Sequence, residues 1–204
     1  MSNGYPHASQ AAVGDRASLG RALLLIARSA IAERLELGSS VEPGGPALTQ
    51  PGATFVTLHS HGELRGCIGS LEPVRPLGVD VRENALAAAF RDPRFPPLTA
   101  REFGATSVDV ALLSPAERFV VADEEDLIRR VRPGIDGLIL EHDGRRATFL
   151  PQVWESISDP RDFVVALKQK AGWPQGFWGA RMNVYRYATT KWTERDFPSY
   201  EIER

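Results

Sequence analysis

The sequence predicts an α+β fold with mostly antiparallel sheet. Helical periodicities and hairpin signals follow one another without the steady βαβ rhythm of a parallel sheet. Hydrophobic residues make up 43% of the 204 residues and charged residues 25%, which is typical of a globular protein with a sizeable core. The length allows one large domain or two small lobes.

The first half is predicted as helix, hairpin and helix. Apolar side chains at three- and four-residue spacing predict a helix over 15–37, and Gly38 favours its termination. β-Branched and aromatic residues predict two hairpin strands over 54–59 and 63–70. The next helix, over 76–91, carries small alanines on its buried side, which indicates close packing against the sheet.

Helix caps and turn residues define the second half. Residues 99–102 and 114–117 both have the capping-box pattern, and each therefore predicts the start of a helix. Asp159-Pro160 predicts the start of another helix that ends near Ala171. The remaining predicted elements are a helix over 123–131 and strands over 106–113, 137–141, 146–150 and 182–187, the last being the final strand.

The predicted domain spans residues 15–197. Residues 1–14 are interpreted as a disordered lead-in and residues 198–204 as a tail. The proline- and glycine-rich segment 39–52 is predicted to be a surface loop.

Charge and cysteine content restrict the function classes. A net charge of -2 provides no field that would attract nucleic acid or an anionic membrane, and no apolar run is long enough to span a bilayer. The single cysteine can form neither an internal disulfide nor a multi-cysteine zinc site. We therefore expect a cytoplasmic protein without a cofactor.

The single cysteine, Cys67, is the main candidate functional residue. Alternation along a strand would place Arg65 and Cys67 on one face, where the arginine would favour the reactive thiolate. Gly66 and Gly69 would leave space for a ligand. The alternative interpretation is a cysteine that packs as a small apolar side chain.

Three other groups of residues are candidates for a functional role. His59 or His61 could act as a base for Cys67, but the turn at Gly62 argues against a metal site built from the His-x-His-x-Glu pattern. Asp92, Arg94 and Phe95 lie in a rigid proline-rich segment; they either fix a loop or line a binding site in which Arg94 holds an anion. Lys168 is expected to bury its stem and keep its ammonium group near solvent.

The hexapeptide at 64–69 and several further blocks resemble the AMMECR family, in particular AmmeMemoRadiSam system protein A. The resemblance covers roughly residues 15–196. The matching blocks are FVTL at 55–58, LRGCIG at 64–69, DPRFPPLT at 92–99, PGIDGL at 133–138, FLPQV at 149–153 and KAG at 170–172.

This resemblance implies an α+β fold of two unequal lobes, with the LRGCIG motif lining a cleft between them. It implies site residues at Arg65, Gly66, Cys67 and Gly69, with Asp92, Arg94 and Phe95 as a second block. It also implies a Memo-type protein and a radical SAM protein as partners. The family has no established reaction, and the ligand, a small molecule or a peptide, is unknown.

Three functions are compatible with the sequence. The first is an enzyme or enzyme subunit with Cys67 as nucleophile or redox thiol and Arg65 as its cation. The second is a non-catalytic adaptor that binds a partner at the same place. The third is an RNA-associated protein, which the low content of basic residues disfavours.

Overall fold

A computed structural model describes residues 8–197 of the chain and the side chains of residues 16–197. The predicted α+β class with antiparallel sheets is confirmed. The described residues form two compact units. Unit 1 contains the residues up to Leu112 and those from Lys191 onwards, and unit 2 contains Leu113–Thr190.

The N-terminal helix α1 spans Ala8–Arg34 and ends with Glu36 in a left-handed conformation, at a φ of 60°. It therefore begins within the segment predicted to be disordered and ends before Gly38. The rest of the predicted lead-in, residues 1–7, and the tail 198–204 lie outside the described residues. Leu23, Ala27 and other apolar side chains of α1 pack in the core of unit 1.

Unit 1 is built on a four-stranded antiparallel sheet in the order β10-β5-β2-β3. Helix α3 lies on one face of this sheet, with α1 beside it. The remaining elements of unit 1 are α2 (Pro46–Thr49), β1 (Pro51–Gly52), β2 (Thr54–Ser60), β3 (Glu63–Gly69), β4 (Arg75–Pro76), α3 (Leu77–Phe90), α4 (Ala100–Phe103), β5 (Thr106–Leu113), β10 (Thr189–Thr193) and a 3₁₀ turn at Glu194–Asp196. The last residue of β5 and the first two of β10 are assigned to unit 2.

The hairpin that carries the LRGCIG motif is closed by two residues, His61 and Gly62, with φ values of 52° and 88°. Positive φ at both positions is the feature of a type I′ turn, which matches the twist of the adjoining strands. The predicted hairpin is therefore confirmed. The segment 39–52, predicted as loop throughout, ends instead in α2 and β1.

A buried carboxylate joins the ends of the hairpin to α3. Asp80 is fully buried, and its Oδ2 accepts hydrogen bonds of 2.7 Å from both the backbone N–H and the hydroxyl of Thr54. Its Oδ1 accepts from Ser70 at 2.7 Å and Arg75 at 2.8 Å. A buried charge needs such partners, so this network holds β2 and β3 in place on the helix.

Unit 2 has a second antiparallel sheet, in the order β6-β9-β7-β8. Its apolar core contains Leu127, Leu138, Phe163 and Trp154, the last two with stacked rings 3.7 Å apart. The elements are β6 (Glu117–Arg118), α5 (Glu124–Arg130), β7 (Gly137–His142), β8 (Arg145–Phe149), a 3₁₀ turn at Pro151–Glu155, α6 (Pro160–Lys170) and β9 (Asn183–Tyr187).

Two sequence predictions in the second half are wrong. The capping-box pattern at 114–117 starts no helix, because Glu117 pairs with Arg186 in the sheet and the Ser114 hydroxyl accepts a bond from the Ala188 N–H instead. The strand at 182–187 is not the last one, because β10 follows it and returns to the sheet of unit 1. Both outcomes depend on pairing between distant segments.

None of the helices within the described residues 8–197 is both long and apolar enough to cross a bilayer.

Candidate functional site

The strand alternation assumed for Arg65 and Cys67 is broken by a β-bulge. The register of β2 and β3 shifts between Leu58 and His59, which leaves Arg65 as an extra residue without a partner in β2. A bulge reverses the alternation on either side of it. The prediction that Arg65 shares a face with Cys67 depended on unbroken alternation and does not hold.

Arg65 is instead enclosed by a neighbouring segment and is only 8% exposed. Its Nε donates to Glu102 at 3.2 Å and its Nη2 to the carbonyl of Pro96 at 2.9 Å. Nη1 is buried and has no partner within the described residues. Arg65 therefore supports the capping box of α4, in which Thr99 and Glu102 bond reciprocally as predicted.

Cys67 has a polar environment on both its side chain and its backbone. The hydroxyl of Thr57, directly opposite on β2, donates to the partly exposed Sγ at 3.3 Å. The backbone N–H of Cys67 donates to Asp92 Oδ2 at 2.8 Å, and its carbonyl accepts from Arg94 Nη2 at 3.3 Å. Because β3 is an edge strand, these backbone groups would otherwise lack a partner.

Asp92 and Arg94 form a bidentate ion pair, with Nε–Oδ1 at 2.9 Å and Nη2–Oδ2 at 2.6 Å. The hydrogen bond from Arg94 holds the pKa of the buried Asp92 far below its usual range, with further contributions from the N–H of Cys67 and of Arg94. The Arg94 side chain is 52% exposed. Its pKa is raised, first by the hydrogen bond to Asp92 and also by the charge of that carboxylate.

Arg94, rather than Arg65, is therefore the cation bonded to Cys67, through the backbone carbonyl of that residue. Phe95 lies beside both arginines, with its ring centre 5.4 Å from the guanidinium carbon of Arg94 and 5.9 Å from that of Arg65. The ion pair fixes the 92–97 loop, as one of the two interpretations predicts. Binding of an anion by Arg94 stays a prediction.

The two glycines of the motif are explained by packing. A Cβ at Gly66 would overlap the backbone carbonyl of Ala88 in α3, and a Cβ at Gly69 would overlap the ring of Phe55. The space that the sequence analysis assigned to a ligand is therefore filled by protein atoms.

The face of the unit 1 sheet that carries Cys67 also carries a polar row across all four strands. We call this face, which bears Cys67, Thr57, Asp109 and Lys191, the thiol face. Thr57 is the cross-strand partner of both Cys67 and Asp109. Lys191 Nζ lies 2.8 Å from Asp109 Oδ2. The neighbouring Val56, Leu58, Val108 and Val110 point to the opposite face, where they are fully buried.

His59 lies on the thiol face, but its ring is directed towards Asp109, with Nδ1 3.5 Å from Oδ2. It is not hydrogen-bonded to Cys67. His61 lies at the exposed hairpin tip. Within the part of the chain that the structure describes, no group of three or more His, Cys, Asp or Glu side chains is placed to bind a metal ion.

A polar cavity of about 300 Å³ adjoins the Asp109 end of this row. Its wall includes His59, Ser107, Asp109, Lys191, Glu194 and Arg195. Burial raises the pKa of Glu194, and Arg28 opposes this effect.

Lys168 in unit 2 departs from its prediction, because its whole side chain is buried, including the ammonium group. Nζ bonds both carboxylate oxygens of Glu124, at 2.6 and 2.7 Å, and the carbonyl of Gln175. The surrounding loop is packed by aromatic rings, among them Trp173 and Phe177. This arrangement is a structural ion pair at the junction of α5 and α6.

The structure thus brings together Cys67, Asp92, Arg94 and Phe95, with Arg65 behind them. Sequence reasoning missed Thr57, Asp109 and Lys191. One signal was available, since Asp109 is an acid between two valines in a strongly apolar strand. Which residues lie beside Cys67 depends on strand order, for which the sequence holds no comparable signal.

The AMMECR1 family model matches residues 24–192. A protein of Methanothermobacter thermautotrophicus is 39% identical over 173 residues, covering 82% of this chain and 90% of its own length. A protein of Thermofilum pendens is 34% identical over 204 residues, covering 91% and 94% respectively. The crystal structure of an uncharacterised protein from Pyrococcus horikoshii matches with a TM-score of 0.73 at 33% identity, covering 86% of this chain and 91% of that one.

Proposed function

The chain belongs to the AMMECR1 family, and from that premise we propose that it is an enzyme or enzyme subunit in which the Cys67 thiol reacts with an anionic substrate held by Arg94. One observation carries the proposal: Asp92 binds both the backbone of Cys67 and the guanidinium of Arg94. The backbone of Cys67 and a partly exposed cation are thereby held in a fixed relation, which a reaction between the thiol and a bound anion would require.

The chemistry follows from the groups present. The guanidinium of Arg94, whose side chain is 52% exposed, can bind a carboxylate or phosphate of the substrate close to Cys67. The hydroxyl of Thr57 donates a hydrogen bond to Sγ and so fixes the position of the sulfur. Arg65, which the sequence analysis assigned as the cation of Cys67, is already bonded to Glu102 and Pro96.

The test compares two alkylating reagents that differ in charge. In each, the thiolate forms a bond to carbon and iodide leaves; iodoacetate is an anion and iodoacetamide is neutral. Because the chain has one cysteine, all alkylation of thiol groups takes place at Cys67. We expect the rate ratio of iodoacetate to iodoacetamide to fall about fivefold in Arg94→Gln, for loss of roughly 1 kcal/mol of attraction, with the largest effect at low salt.

Two further variants make this result specific. Arg91→Gln removes an exposed arginine of the same region that pairs with Glu83, and we expect it to leave the ratio unchanged. Asp92→Asn combined with Arg94→Gln removes both charges of the ion pair, so a low ratio there excludes repulsion by an unpaired Asp92 as the cause. An unchanged ratio in Arg94→Gln, or a folded protein whose Cys67 resists both reagents, would refute the proposal.

A non-catalytic role in partner binding is the second candidate, and an apolar cavity of about 270 Å³ in unit 1 favours it. Ile26, Leu48 and the half-exposed Val79 line this cavity, which could accept an apolar side chain of a partner. The partners that the family resemblance implies are a Memo-type protein and a radical SAM protein.

Purified partners of these two types give the test for the second candidate. We expect Val79→Asp to abolish binding if the cavity is the contact. Val74→Asp, at a valine that is 77% exposed and outside the cavity, is the matched control. Equal binding by both variants and the wild type rejects the cavity as a partner site.

A further inference from the structure

We infer that the polar cavity beside Asp109 binds a small anion carrying a carboxylate or phosphate group, with Arg195 and Lys191 as its cationic contacts. The cavity measures about 300 Å³ and lies where β5, β10 and the 3₁₀ turn at Glu194–Asp196 meet. This volume is close to the lower end of the range for small-molecule sites. The inference goes beyond the proposed function and does not depend on reactivity at Cys67.

Both carboxylates of the cavity wall already have partners. Glu194 Oε2 accepts from Arg28 Nη1 at 3.1 Å and from the backbone N–H of Val108 at 2.9 Å. Asp109 Oδ2 faces Lys191 Nζ at 2.8 Å and His59 Nδ1 at 3.5 Å. Each acid is therefore already paired with a cationic side chain.

The cationic side chains of the cavity wall have hydrogen-bond donors that remain available to a ligand. Among the described residues, no acceptor is bonded to the exposed guanidinium of Arg195. The Lys191 side chain is half exposed, and an ammonium group has three donors, of which Asp109 uses one. The hydroxyl of Ser107, also in the wall, can donate as well.

The charge balance consequently favours an anion. Arg28 compensates Glu194, and Lys191 compensates Asp109, so the charge of Arg195 remains. A guanidinium offers paired donors that fit the two oxygens of a carboxylate or phosphate. His59 also lies in the cavity wall, so its ring is in a position to report on a bound ligand.

The test is a titration with inorganic phosphate and, separately, with acetate, at fixed pH and at an ionic strength held constant with chloride. The readout is the imidazole proton NMR signal of His59, one of four histidines, assigned by its loss in His59→Gln. We expect a saturable shift with at least one of the two anions. Saturation by phosphate alone or by acetate alone identifies which oxyanion class the site prefers, and either result supports the inference.

Variants connect the shift to the cavity. Arg195→Gln should weaken the apparent affinity about tenfold, as expected for loss of one charged hydrogen-bond donor, and Lys191→Gln should weaken it as well. Arg101→Gln changes an exposed arginine outside the cavity and should have no effect. A shift that never saturates with either anion, or that is the same in Arg195→Gln as in the wild type, would overturn the inference.

Discussion

The Oδ2 atom of Asp92 accepts a hydrogen bond of 2.8 Å from the backbone N–H of Cys67. The same carboxylate binds Arg94, whose Nη2 donates to the carbonyl of Cys67. The ion pair thus occupies both backbone groups that the edge strand β3 would otherwise present at this residue to another strand. It protects the edge of the sheet and positions the thiol.

The first prediction concerns this ion pair. Asp92→Ala should lower the free energy of unfolding by about 2–3 kcal/mol, because it removes charged hydrogen bonds from a buried position. Asp92→Asn retains an acceptor for the Cys67 N–H and should lie between Asp92→Ala and the wild type. Urea unfolding of the three proteins measures the order. Equal stability of Asp92→Ala and the wild type would contradict the assigned role.

The second prediction concerns Gly69. Gly69→Ala should cost about 1–3 kcal/mol, since the added methyl group overlaps the Phe55 ring. Combining it with Phe55→Ala should recover part of that cost, which a double-mutant cycle measures as coupling. Gly104→Ala is the control, since no atom lies near its Cβ position and its φ of -64° suits alanine. If the free-energy changes of the two substitutions simply add, Gly69 is not needed to leave space for the Phe55 ring.

The third prediction concerns acid stability at the capping box. Hydrogen bonds from Thr99, followed by the bond from Arg65, lower the pKa of Glu102 from 4.5 to about 2. A depressed folded-state pKa stabilises the protein above the unfolded value, and this stabilisation is lost as the pH falls from 4.5 towards 2. Glu102→Gln should therefore be less stable than the wild type at pH 7, by about 0.5–1 kcal/mol given the solvent exposure of the group.

Urea unfolding at several pH values measures this difference for Glu102→Gln. The difference should shrink between pH 4.5 and pH 2. A difference that stays constant over that interval would show that the carboxylate charge of Glu102 does not contribute.

The fourth prediction concerns the buried pair of Lys168 and Glu124. Glu124→Gln leaves an uncompensated ammonium group in the core of unit 2 and should cost about 3–5 kcal/mol. Adding Lys168→Met removes that charge, and the double variant should recover at least half of the loss. Thermal unfolding followed by circular dichroism compares them. A double variant less stable than Glu124→Gln would contradict this prediction. It would show that losing the whole pair costs more stability than leaving the Lys168 charge uncompensated.

Local features of the chain could be predicted from the sequence alone. The turn at His61-Gly62, the caps at Thr99 and Asp159 and the helix over Leu77–Phe90 depend on neighbouring residues, and they agree with the structure. The position of the candidate site was likewise indicated by the isolated cysteine and the rigid segment that follows α3. The motifs at 64–69 and 92–99 are also among the blocks on which the family resemblance depends.

The neighbours of the thiol were decided by tertiary structure. The β-bulge at Arg65 directs this side chain away from the face that carries Cys67. Arg94 bonds the Cys67 carbonyl instead and is the cation next to this residue. The roles of Gly66 and Gly69 follow from the close approach of Ala88 and Phe55. Thr57 and Asp109 join the thiol face only through strand order. Strand register and order are set by packing between segments far apart in the chain, so periodicity along one segment does not determine them.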